Sequence, residues 1–274
     1  MRSSGISATP ALAKPKPPSP YAVFSDCPTS NPAVGTCLYS DTTSGSFTIG
    51  NTTVTIGSTP IIFQGGLQTS PSGYQFFDAT DGNTLSQVPL TVPGGLLGLT
   101  PPSLFPLPLQ GIIENAINSV NTVTATAQLV GTPSFNPVNF LTGNGSAVSL
   151  PVRIHLSNPF LGSGCYIGSS SDPVTLDLTT GTTSPPASVA PLTGSHGTLT
   201  ALHDGGLIEA SNVLIVGNTF AVPGASGCGG LLSALVDPVV DLKTGIPAAP
   251  GVSSASLAGS SALASAKLVK KAGY

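Results

Sequence analysis

The sequence predicts a mainly β protein: an antiparallel β-sandwich or barrel-like fold with two short capping helices. Three observations point there. Short runs along most of the chain alternate apolar and polar residues, and a period of two marks a strand with one face in a core. Turn residues break those runs at short intervals, with 33 Gly and 27 Pro among 274 residues. Charged residues make up only 7% of the chain, where about a quarter is usual. Ser, Thr, Asn and Gln must therefore supply the polar surface, and they suit the solvent face and turns of a sheet. Disorder would need low hydrophobicity together with high net charge; here hydrophobic residues are 40% and the net charge is −3.

Taken in order, residues 1–20 read as a leader and Pro-rich spacer. Met1 to Ala13 ends in Ala-Leu-Ala, like a signal-peptidase site, but lacks the apolar run of roughly 7–15 residues that a secretory signal carries. Lys14-Pro-Lys-Pro-Pro-Ser-Pro reads as an extended polyproline spacer. Residues 21–269 are expected to form the β domain, with 94–121 as a boundary should it divide into two β subdomains, and 270–274 form a tail.

Tyr21–Ser25 reads as a first strand. Phe47 and Ile49, a Gly50-Asn51 turn, then Val54 and Ile56 form a hairpin, since Gly-Asn between alternating runs favours a two-residue turn. Short strands are expected over 60–63, 74–77 and 84–92, the last interrupted by Pro89 and so placed at an edge. Leu109, Ile112, Ile113, Ala116, Ile117 and Val120 recur at helical spacing and predict an amphipathic helix capping the sheets.

Strands resume over 122–130. Ser146–Gly168 is the stretch on which the fold is expected to centre: Val148, Leu150, Val152, Ile154 and Leu156 face a core, and Ser149, Pro151, Arg153 and His155 face away. Further strands are expected over 173–179, 197–202, 207–210, 212–216 and 219–222. Gly229–Thr244 reads as the second helix, kinked or divided at Pro238, and a final strand runs to about Val269.

Four cysteines permit three pairings. Cys27 and Cys37 flank a short Pro- and Gly-containing loop and are the natural local pair. Cys165 and Cys228 both sit among glycines, which let two backbones approach closely enough for a disulfide. Without Cys-x2-Cys spacing, zinc is the weaker reading.

The charge pattern excludes partners. Only Arg153 is cationic between Pro17 and Leu242, whereas nucleic-acid binding needs several phosphate contacts. No nucleotide-binding loop occurs and no cofactor is expected. A membrane barrel would need strands of about 9–11 residues and aromatic girdles; aromatics are 5% and Trp is absent, so an integral membrane protein is not expected.

Candidate chemistry is sparse. His203 and Asp204 adjoin in a turn and could supply a base and its orienting carboxylate, with a distant Ser, for a secreted hydrolase. Arg153 and His155, two apart on one strand face, could bind an anion, or pair with an acid such as Asp177. Asp78, Asp81 and Asn83 cluster oxygen ligands of the kind calcium takes, although the spacing is not that of an EF-hand and an acidic turn explains them equally.

Several segments together resemble an uncharacterised family of secreted, four-cysteine proteins from high-GC Gram-positive (actinobacterial) species: Asp26-Cys-Pro with Cys37-Leu-Tyr, Gly94-Gly-Leu-Leu-Gly, Asn158-Pro-Phe-Leu-Gly-Ser-Gly-Cys-Tyr-Ile-Gly-Ser, Leu178-Thr-Thr-Gly-Thr-Thr-Ser-Pro-Pro and Pro223-Gly-Ala-Ser-Gly-Cys-Gly-Gly-Leu-Leu. The resemblance implies an ordinary signal peptide, export and the four cysteines, and it contributes no chemistry. The expectation is a secreted or cell-surface non-enzymatic protein with a structural or binding role. Its partner would be a cell-envelope component or an apolar small molecule, and the alternatives are the hydrolase and an extracellular carrier of an apolar ligand.

Overall fold

The computed structural model describes residues 19–71 and 73–274; the expected leader lies outside them through residue 18. Among the described residues the chain forms two antiparallel sheets of seven strands each, with short helices in the connections.

The first sheet runs β11 (Thr198–Leu202), β12 (Leu207–Gly217), β14 (Ser254–Ser265), β1 (Thr36–Ile49), β3 (Ile61–Ser70), β4 (Gly73–Asp78), and β2 (Thr52–Thr55) also pairs with β1. The Gly50-Asn51 turn joins β1 to β2 as the sequence predicts.

The second sheet is built around β8 (Val148–Ser157). One edge of β8 pairs with β6 (Thr124–Leu129) and β7 (Ser134–Phe135); it also pairs with β10 (Val174–Leu178) and β9 (Tyr166–Ile167). Beyond these lie β5 (Leu90–Thr91) and β13 (Ala225–Ser226). At one corner the sheets are stitched together: the Thr179 N–H donates to the Val216 carbonyl at 2.8 Å, and the Val216 N–H returns to Thr179 at 2.9 Å.

The alternation on β8 is realised. Val148, Leu150, Val152 and Leu156 are buried in one large core that also takes Leu38, Phe63 and Leu257 from the first sheet. That core draws on residues from both sides of 94–121. Among the described residues the α-helices are α1 (Gly95–Leu99), α2 (Leu107–Ser119), α3 (Pro137–Thr142), α4 (Ser233–Thr244) and α5 (Ala266–Lys271). The two longest, α2 and α4, are the two the sequence predicts. α2 buries Ile113 in the core while Ile112 stays 52% exposed. α4 runs unbroken through Pro238. No helix among the described residues is long and apolar enough to cross a membrane.

Several expectations are corrected. Tyr21–Ser25 is not a strand: Ala22–Phe24 forms a 3-10 turn, because Tyr21 and Phe24, three apart, both bury in a second apolar cluster. That cluster, with Val34, Cys37, Leu207 and Ala264, covers the outer side of the first sheet. The final strand stops at Ser265 rather than near Val269. Ala266 and Val269, again three apart, bury in the same cluster as one face of α5, which takes Lys270 and Lys271 out of the expected tail. The 84–92 strand shrinks to β5; upstream of Pro89 the backbone runs beside β3, with the Ile62 N–H donating to Ser86 Oγ at 2.7 Å. The strands expected at 207–210 and 212–216 are one strand with a bulge, where Asn212 takes φ of 56°. No strand spans 219–222; Val222 makes a single bridge to Ala248.

Both disulfides form as paired in the sequence reading, Cys27–Cys37 with Cα atoms 5.6 Å apart and Cys165–Cys228 with Cα atoms 4.1 Å apart. The second bridge fastens β9 to β13. A side chain on Gly227, at φ of 73°, would strike the Gly164 carbonyl oxygen, so glycine there admits the close approach. Asp237 and Asp241, one turn apart on α4, hold the same loop. Asp237 accepts from the N–H groups of Cys228 (2.7 Å) and Gly227 (3.1 Å), and Asp241 from that of Ala225 (2.7 Å).

Burial, and then the neighbouring Asp237 charge, push the Asp241 pKa above the ordinary aspartate value, against the lowering effect of the Ala225 N–H. The ionised form is thus disfavoured in the native state. Its destabilising effect is absent while Asp241 is protonated in both states, and sets in as pH rises from the ordinary aspartate value through the raised native one. Asp241→Asn keeps an oxygen to accept from Ala225 and removes the charge. The variant is expected to melt above the parent at neutral pH and to match it near pH 3, roughly below the unfolded pKa; calorimetric melts across pH test this, and a pH-independent difference would refute the charge explanation.

Candidate functional site

Where the two sheets face one another, several inward positions hold small residues: Ser40 and Ser261 from the first sheet, Ala125 and Ala127 from the second. Small side chains opposite one another leave space that Leu or Ile would fill. Three apolar voids result, of about 60, 70 and 40 Å³. They lie in a row. Phe47, Ile61, Ala127 and Leu176 wall both the first and the second, and Ile49, Val54, Ala125 and Ile154 wall both the second and the third.

The two ends differ. The first void reaches hydroxyls at Ser40, Thr42 and Ser261, of which Ser40 and Ser261 hydrogen-bond each other at 2.9 Å. The third abuts Leu99 of α1 and Thr244 of α4, whose hydroxyl donates to the Val240 carbonyl at 2.7 Å. The row is therefore an apolar slot with hydroxyls at one end and helices over the other. Each void is smaller than the ~150 Å³ cavity that admits benzene, so a ring does not fit and a narrow chain is the matching shape.

On the outer side of the first sheet, a shallow groove of about 500 Å³ is walled by Tyr39, Asp41, Glu209 and Ala262, with Pro20 and Val23 at its rim. Burial, reinforced by the Asp41 charge, raises the Tyr39 pKa and keeps the phenol protonated.

Comparison with protein-family models, with curated proteins and with solved structures finds no match for this chain.

The residues singled out from sequence are scattered. His203 is exposed on a 3-10 turn between β11 and β12 at φ of 51°, its ring 5.5 Å from that of Tyr21; the Asp204 side chain lies outside those described. Among the described residues no serine hydroxyl is hydrogen-bonded to His155, His196 or His203. Asp81 spends its carboxylate locally, accepting from the Asn83 N–H at 2.9 Å and its side-chain amide at 3.1 Å, while Asp78 accepts from the Thr84 hydroxyl at 3.2 Å. No group of three or more His, Cys, Asp or Glu side chains among the described residues is placed to hold a metal ion.

Arg153 and His155 do stand together on the outer face of the second sheet, and sequence reasoning missed what joins them. Tyr166 sits opposite His155 in the β8–β9 register, its ring 4.8 Å from the imidazole and 4.2 Å from the Arg153 guanidinium carbon. The expected ion pair with Asp177 does not form. The β8–β10 register sets Asp177 beside Ser149, and Arg153 Nε instead donates to Gln128 Oε1 at 3.1 Å.

Proposed function

We propose that this is an exported, non-enzymatic binding protein that holds a linear apolar chain in the slot between its sheets. The observation that carries this reading is the row of three voids with shared walls. A sandwich selected only for stability would fill that space, since each void forfeits dispersion contacts and destabilises the fold. The differing ends suit an amphiphile, with its polar group at the Ser40, Thr42 and Ser261 end and its tail toward α1 and α4. Apolar surface removed from water supplies the affinity. The two disulfides support export, because such bonds persist in oxidising compartments, and the resemblance to exported actinobacterial proteins agrees with it.

Mass spectrometry of organic extracts from purified protein is expected to find a co-purifying amphiphile with a short alkyl chain, and delipidated protein to take up a short-chain fluorescent alkyl probe. Ala127→Leu, which fills the space shared by two of the voids, is expected to abolish uptake while leaving the melting temperature unchanged or raised. Empty extracts with no probe uptake, or an Ala127→Leu variant that binds as well as the parent, would remove the proposal.

A further inference from the structure

We propose that the outer face of the second sheet carries a carboxylate-binding site built on the guanidinium of Arg153. The site is independent of the slot, which Val152 and Ile154 line from the opposite face of the same strand. Arg153 is held by two neighbours, Gln128 and Tyr166, neither of them negatively charged. Its Nε donates to Gln128 Oε1; the Gln128 amide donates in turn to Gln87 Oε1 at 3.2 Å; and the Tyr166 ring lies against the guanidinium carbon. Among the described residues it has no ion pair, and no hydrogen bond to its terminal nitrogens is made.

Ordering a long side chain sacrifices rotamer entropy, which an ion pair ordinarily offsets. Here the side chain is ordered and the charge is left uncompensated, which is the state of a preorganised binding group awaiting a ligand. With Nε engaged, the free edge is the pair of terminal nitrogens, whose parallel N–H bonds match the two oxygens of a carboxylate. A second observation lies beside it: His155 Nε2 is buried and has no partner. A carboxylate oxygen drawn in along the Arg153 edge, with a rotation of the imidazole, would supply that partner. Thr126, opposite His155 in the β6–β8 register, adds a hydroxyl to the same face.

The chain has two arginines, Arg2 and Arg153, so heteronuclear NMR of arginine Nε–H groups contains its own comparison. Titration with acetate is expected to shift the Arg153 signal and the His155 ring protons saturably, with an apparent Kd roughly tenfold below that at Arg2. Inorganic phosphate is expected to bind Arg153 more weakly than acetate. Arg153→Lys keeps the charge and loses the fork, so the preference for acetate read at His155 should vanish. Equal responses at Arg2 and Arg153, tighter binding of phosphate than of acetate, or a preference that survives Arg153→Lys would each overturn the assignment.

Discussion

Replacing Cys165 and Cys228 together by alanine is expected to lower the unfolding free energy by about 4 kcal/mol, because the bond closes a loop of 63 residues and restricts the unfolded chain accordingly. Removing the Cys27–Cys37 bond, which closes 10 residues, should lower it by only about 2–3 kcal/mol on the same account. Chemical denaturation of the two double variants tests the ordering. The larger loss should also release α4, since the Cys228 N–H is one of the groups Asp237 accepts from. Proteolysis of the Cys165/Cys228 variant is therefore expected to begin between Ala225 and Thr244. Equal losses from the two bonds would show that native contacts, and not loop length, set the stabilisation.

Gly259→Ala is expected to destabilise by about 3 kcal/mol or more, at the upper end of overpacking changes. Gly259 lies in β14 at the register shift against β1, and an added Cβ would land on the Asp41 carbonyl oxygen. That oxygen is backbone in a central strand and cannot swing aside. The strands are also fastened at that rung: the Asp41 carboxylate accepts from the Ser260 N–H at 2.8 Å and from its hydroxyl at 2.7 Å. Gly111 in α2 is the matched control, with open space where its Cβ would stand. Gly111→Ala should stabilise by about 0.5–1 kcal/mol through helix propensity alone. Thermal melts of the two variants should move in opposite directions; a neutral Gly259→Ala would mean that the β1–β14 pair yields readily.

How much of this was legible beforehand depends on the range of the interaction. The β8 alternation, the Gly50-Asn51 hairpin and the α2 stripe are written in neighbouring residues, and a period read over several residues identifies them. The disulfide pairing was legible because glycines flank both distant cysteines. The turn at Tyr21–Phe24 and the start of α5 were not, since one pair of residues three apart is too short a run to reveal a period. The Asp237 and Asp241 latch depends on the 225–228 loop folding back over α4, which the spacing of two acids does not disclose. The slot was equally hidden: Ser40, Ser261 and Ala127 are unremarkable small residues until the sheets set them opposite one another. For Arg153 the expected acid partner was wrong, because the β8–β10 register decides which acid lies within reach.

The placement of β14 between β1 and β12 has a consequence for how the molecule is made. Hydrogen bonds such as that from Ser260 to Asp41 join positions 219 apart in sequence. The first sheet has no continuous centre until β14 arrives, so β1 and β12 wait with open edges until residues 254–265 are synthesised. Such distant pairing slows folding, and a slow-folding chain stays threadable for longer.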